Sequence, residues 1–278
     1  MTMPLVLIID GNRAETRAQQ QAAGGSASGE GYAAVLQTLK SDLRCEIIRP
    51  ADGEVRLSRS LTDYAGVAIT GSALNVYDGG AAIERQIELA RAVFAAGVPF
   101  FGSCWGLQVA VTAAGGVVRA SPLGREFGFG RRIMLTPAGL EHPMFAGKPA
   151  VFEAITVHRD DIAVLPPDSV ELARNEMGLQ AAEIRFGRGV FWGTQYHPEY
   201  SCNEIAATAI RYGKTLINEG LFADQAELDG YADELRLLQQ NPTDRRLSWR
   251  HGLGPAISDH NLQLAELRNW LQYRLAKR

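Results

Sequence analysis

Four short apolar runs, each bounded by turn residues and separated by helical patterns, limit what this chain can fold into more than any other feature. They fall at residues 4–10, 44–50, 66–70 and 98–101. Runs of this kind read as strands buried on both faces, the signature of a parallel sheet covered by helices. Ahead of the fourth run, Ile83, Ile87, Ala90 and Phe94 share one helical face. The alternation predicts an α/β fold with a doubly wound, mostly parallel sheet. Beyond residue 131 the pattern changes to closely spaced strand-like pieces at 131–136, 150–158, 170–174, 180–186 and 189–195. This reads as a more antiparallel portion capping the sheet. A helix is expected at 203–218, with Ile205, Ala209, Tyr212 and Leu216 on one face.

With 278 residues, 46% of them hydrophobic, the chain can bury one sizeable core, or one domain plus an appendage. The expected division is 1–220 as the main domain and 221–278 as a helical C-terminal extension. In the extension, Leu228, Tyr231, Leu235 and Leu238 form one stripe. Leu264, Leu267, Leu271 and Leu275 form another beside Trp270. Such stripes either dock on the parent domain or make a subunit contact in a homo-oligomer. The stretch 13–31, rich in Gln, Gly and Ser, is long for a βα connection. It is expected to be a disordered, solvated loop or an active-site lid.

A net charge of -3 argues against nucleic acid or an anionic membrane as the main partner. No apolar run approaches the roughly 18–20 residues of a membrane span. The N-terminus has no basic segment of a signal peptide. Three cysteines, Cys45, Cys104 and Cys202, have no short spacing, so neither a disulfide framework nor a zinc site is expected. The histidines show no ligand spacing, and no metal or cofactor is predicted. A free thiol fits a reducing, cytoplasmic setting.

The fourth run leads into Gly102-Ser103-Cys104-Trp105-Gly106, after which a helical pattern begins. Small residues two positions either side of the cysteine suit a tight strand-to-helix turn. The helix N-terminus would favour a thiolate, and the Trp105 N–H would point at an oxyanion. Alone, the segment fits a buried structural cysteine equally well. A second segment changes that balance. Pro198 holds His197 extended, so His197 and Glu199 project to one side. Glu199 can then orient the imidazole that takes the Cys104 proton. Alone, His-Pro-Glu also fits a surface turn. Together the two segments predict a Cys104–His197–Glu199 triad.

At these residues the sequence resembles the class I, triad-type glutamine amidotransferases. Gly102, Cys104, Gly106 and Gln108 match the family elbow G-x-C-x-G-x-Q, and Gln195 to Glu199 match Q-[FY]-H-P-E in full. The resemblance implies a flavodoxin-like sheet and hydrolysis of the glutamine γ-amide through a γ-glutamyl thioester. It implies ammonia supplied to a separate ATP-dependent synthetase, because residues 220–278 are too few for such a domain. The alternatives are a stand-alone hydrolase of a γ-glutamyl amine and a non-catalytic relative. Thr70-Gly71-Ser72 is similar to the family's oxyanion segment, which implies that the Gly71 N–H joins that of Trp105. Glu126-Phe127-Gly128 and the segment Val157 to Ile162 resemble the GMP synthetase-like branch. By resemblance, Gln108 buttresses the substrate and Asp160 faces its α-ammonium. His158 is a substrate-shaping or structural residue, or a second base. Arg159 departs from the family's glycine; it either pairs with a substrate carboxylate or is taken up by Asp161 or solvent.

Overall fold

The computed structural model describes residues 3–275, and the structural statements below concern these; Met1, Thr2 and 276–278, the outer ends of the predicted segments, lie outside them. In chain order the elements are β1 (Leu5–Ile9), α1 (Ala14–Ala22), α2 (Ser28–Leu39), β2 (Arg44–Ile48), β3 (Gly66–Ile69), α3 (Ala81–Ala96), β4 (Phe100–Ser103), α4 (Trp105–Ala113), β5 (Val117–Ala120) and β6 (Glu126–Leu135). They continue with α5 (Pro137–Glu141), β7 (Val151–His158), β8 (Asp160–Val164), β9 (Ser169–Asn175), β10 (Gly178–Phe186), β11 (Gly189–Thr194) and α6 (Cys202–Asn218). The rest is helical: α7 (Gln225–Gln240), α8 (Arg245–Arg250), α9 (Pro255–Ser258), α10 (His260–Gln263), α11 (Ala265–Trp270) and a last wide turn, Leu271–Leu275.

Among the described residues nine strands form one sheet in the order β2-β1-β3-β4-β11-β10-β9-β6-β7, and β5 pairs with β8 apart from it. The pairs from β2 through β11 are parallel, and those beyond β11 are antiparallel. The antiparallel strands therefore extend the sheet edgewise, where the sequence suggested a cap. Side chains of β1 alternate between two cores, as the two-residue strand period requires. Leu7 and Ile9 meet α3 and α4 through Val93, Phe94 and Leu107. Val6 and Ile8 meet α2 through Tyr32 and Leu36, and the C-terminal stripe through Leu264, Leu267, Trp270 and Leu271. The other stripe is likewise covered: Leu235 and Leu238 pack with Ile155 and Ile205.

Residues 13–31 are not a loop but contain α1 and the start of α2. The reason is tertiary. Within α1 only Gln20 is buried, so no apolar stripe marks it. Instead Arg17 pairs with Asp52 at 2.6 Å, and the Gln20 amide donates to Thr208 Oγ1 at 3.1 Å. The Gly29 N–H, in the first turn of α2, donates to Asp10 Oδ2 at 3.0 Å. A carboxylate delivered by β1 thus satisfies an otherwise open helix N-terminus. Burial raises the Asp10 pKa, against the pull of Asn12, Gly29, Arg17 and Arg49. No described helix is long and apolar enough to cross a membrane.

Candidate active site

β4 delivers Cys104 and its parallel neighbour β11 delivers His197 and Glu199. Ser103 pairs with Thr194 in register, and the Cys104 N–H donates to the Thr194 carbonyl at 2.7 Å. Cys104 sits at φ 52° and ψ -103°, a strained conformation for a residue with a Cβ, costing about 1–3 kcal/mol. Close packing enforces the turn. A Cβ on Gly106 would lie 2.6 Å from the Ile69 carbonyl oxygen, and one on Gly102 would lie 2.9 Å from the Gly106 Cα. Both positions need glycine for space. The thiol is 4% exposed; it donates to the Val157 carbonyl at 3.5 Å and interacts electrostatically with the His197 ring.

His197 Nδ1 lies 2.8 Å from Glu199 Oε1. Burial disfavours the imidazolium, but the Glu199 carboxylate and Cys104 overcome it, raising the His197 pKa to about 10. The ring stacks on Tyr200, with centroids 4.0 Å apart and planes 19° apart. Ser103 donates to Glu199 Oε2 at 2.9 Å, and the Tyr32 hydroxyl lies 3.2 Å from Ser103 Oγ. Sequence reasoning missed Ser103, Tyr32 and Tyr200. Ser103 adjoins Cys104 and Tyr200 adjoins Glu199, but nothing in the motif marks their bonds. Tyr32 directly follows the stretch misread as a loop.

Gly71 presses against the imidazole from the β3 side: a Cβ there would meet His197 Cε1 at 2.5 Å. The Gly71 carbonyl accepts from Thr70 Oγ1 at 2.9 Å and Asn12 Nδ2 at 3.4 Å, which fixes the plane of the Gly71–Ser72 peptide. Trp105 is the first residue of α4, and Gln108 is the donor to the Cys104 carbonyl. The Trp105 N–H thus belongs to the open N-terminal turn. Its indole is fully buried and donates to Gln86 Oε1 at 2.7 Å.

Cys104 and Gln108 open into a cavity of about 290 Å³, also lined by Tyr77, Arg125, His158, Arg159 and Asp160. All four residues predicted to contact substrate therefore border one space. Asp160 is 3% exposed and accepts the Tyr77 hydroxyl at 2.8 Å. Burial raises its pKa, against Tyr77, His158, Arg159 and Arg125. His158 is locked between the Asp160 carbonyl at 3.0 Å and Glu126 Oε2 at 2.8 Å. Glu126 also accepts from Asn175 at 2.6 Å and Gln180 at 2.9 Å. This geometry suits a shaping residue better than a free base. Arg159 does not pair with Asp161; it donates to the Ser121 carbonyl at 2.6 Å, and Asp161 pairs with Arg119 at 3.2 Å. The antiparallel pairing of β5 with β8 sets Arg119 opposite Asp161. Arg125, also missed, lies over the Tyr212 ring and is paired with Glu219.

The family model for class-I glutamine amidotransferases matches residues 31–213. A γ-glutamyl-L-1-hydroxyisopropylamide hydrolase from a Pseudomonas species is 33% identical over 271 residues, covering 96% of this chain and 92% of that protein. A glutamine-hydrolysing GMP synthase from Thermomicrobium roseum is 32% identical over 171 residues, covering 60% of this chain but 29% of the synthase. Two solved structures share the fold. A glutamine amidotransferase from Thermotoga maritima superposes with a TM-score of 0.69 at 17% identity, covering 99% of both chains. One from Methylobacillus flagellatus gives 0.60 at 20% identity, covering 100% of this chain and 94% of the other.

Proposed function

Because this chain belongs to the class-I glutamine amidotransferase family, we propose that it hydrolyses the amide bond of a γ-glutamyl amide and releases an amine and glutamate. The observation that carries this reading is the strained Cys104 at the head of a cavity, in electrostatic contact with a His197 that Glu199 orients. The Cys104 sulfur attacks the γ-carbonyl carbon, and the N–H groups of Gly71 and Trp105 stabilise the oxyanion. As the C–N bond breaks, His197 gives its proton to the departing nitrogen. Water deprotonated by His197 then attacks the thioester, the C–S bond breaks, and glutamate leaves. Asp160 faces the substrate α-ammonium, Arg159 its α-carboxylate, and Gln108 and His158 shape the wall between them. A reducing cytoplasm keeps the thiol free.

Similarity to the γ-glutamyl amide hydrolase over nearly the whole of both proteins, the C-terminal helices included, supports an amine conjugate as substrate, cleaved by this chain alone. Similarity to GMP synthase supports a second reading, in which glutamine is the substrate and a synthetase subunit receives the ammonia. Glutamate release by the purified chain, with glutamine and a panel of γ-glutamyl amines, separates the two. Rapid release from one amine conjugate, lost in Cys104→Ala, supports the first. Release from glutamine only when a synthetase is added supports the second. Release that survives Cys104→Ala would remove the thioester route.

A further inference from the structure

His197 and Glu199 lie on no regular element; they follow β11 in a turn, and their aim at Cys104 depends on what holds that turn. The C-terminal helices hold it at both ends. Glu266 of α11 is fully buried and accepts the hydroxyl of Tyr196, the residue before His197. The same Glu266 oxygen pairs with Lys148 at 2.5 Å, both side chains being at most 1% exposed. At the other end, the Gln263 side-chain amide donates to the carbonyl of Tyr200, whose ring stacks on His197. Trp270 packs on Phe101 of β4 at 5.7 Å, close to the nucleophile. Asn269 anchors α11 to the Met144 and Ala146 carbonyls at 2.9 and 3.0 Å.

We propose that residues 260–275 brace the His197–Glu199 turn against Cys104, with Glu266, Lys148 and Gln263 as positioning residues for the reaction. The proposal rests on the Cys104–His197 reading above, not on the identity of the substrate. A fully buried ion pair is a poor source of net stability, since desolvation offsets its attraction. Here it supplies direction. Burial raises the Tyr196 pKa well above its ordinary value, with Glu266 adding to the effect, so the hydroxyl stays protonated and must donate. Burial lowers the Lys148 pKa, and Glu266 opposes this. A phenylalanine at position 196 could not make this bond.

The test uses the full chain and reads Cys104 directly. Iodoacetamide alkylation is followed against pH, with the modified residue located by mass. Burial raises Cys45 and Cys202 to about 11, which keeps them slow at neutral pH. The variants are Tyr196→Phe, which removes one hydroxyl, Gln263→Ala, and the double change Lys148→Met with Glu266→Gln, which removes both charges at near-constant volume. Trp249→Ala, at a site 71% exposed, is the control and should match the parent. A turn displaced by up to an ångström slows Cys104 alkylation and kcat roughly 10- to 100-fold. KM should stay unchanged, and the alkaline limb should move to lower pH as the His197–Glu199 contact loosens. Folded Tyr196→Phe and Gln263→Ala proteins with parental alkylation rates and pH profiles would overturn the proposal, even if the double variant failed to fold. Slow alkylation in these variants, with no γ-glutamyl amide cleaved by the parent, would retain the brace and remove the substrate reading.

Discussion

Gly71→Ala offers the most direct test of the arrangement around His197. The new methyl would lie 2.5 Å from His197 Cε1, where ordinary contact begins at 3.4 Å. The Gly71 backbone is not in the left-handed region, so alanine brings no conformational strain and keeps the N–H. The ring cannot swing aside freely: Glu199 holds Nδ1 at 2.8 Å, and Tyr200 stacks on it at 4.0 Å. The imidazole or its turn must shift by roughly 1 Å, a displacement that can cost about 100-fold in rate, or about 2.7 kcal/mol of transition-state stabilisation. Overpacking should destabilise the fold by about 1–3 kcal/mol. The assay is kcat/KM for glutamate release, with thermal unfolding to establish that the variant is folded. A folded Gly71→Ala protein within two-fold of the parent would refute both the placement of His197 against Gly71 and its role in proton transfer.

Cys104→Ser should abolish turnover with an unfolding midpoint close to the parent's, and retained glutamate release would remove the nucleophile assignment. Glu199→Gln should lower kcat by roughly 10²- to 10⁴-fold and bring its alkaline limb to lower pH; an unmoved limb would argue against Glu199 as the group that raises His197. Stability should follow the same linkage. The His197 pKa is raised from 6.5 to about 10, so its contribution is complete below about pH 6.5 and is lost as pH rises through about 10. Thermal midpoints should fall across that window in the parent and less in Glu199→Gln. Glu126→Gln sets an amide N–H against the donating side-chain amides of Asn175 and Gln180 and should cost about 1–3 kcal/mol in urea unfolding; an unchanged midpoint would contradict the network around His158.

Elements whose signals are local were legible in the sequence. The parallel strands are continuous apolar runs, and α6 carries Ile205, Ala209 and Leu216 on a buried face. The glycines of the elbow mark places where another backbone comes too close for a Cβ. Elements held by distant partners were not legible. α1 has a polar sequence and is fixed by Asp52 and Thr208. β5 and β8 are short, and their pairing sets Arg119 opposite Asp161. The edgewise extension of the sheet depends on β11 joining β4, a choice no residue announces. The same applies to the site. Cys104, His197 and Glu199 declare themselves through spacing, whereas Tyr32 and Glu266 act through bonds to residues far away in the chain.

The stitching of β4 to β11 also governs when activity can appear. Ser103 and Thr194 are register partners although most of the antiparallel strands lie between them in the chain. Bringing them together closes a long loop, whose entropy must be met before the contact is rewarded, and non-local pairing of this kind slows folding. A half-folded chain can contain the elbow or the His-Pro-Glu turn, but not Cys104 facing His197, its proposed base. Regain of turnover during refolding therefore reports the closure of the central strand pair, and should trail the early recovery of helix seen by circular dichroism.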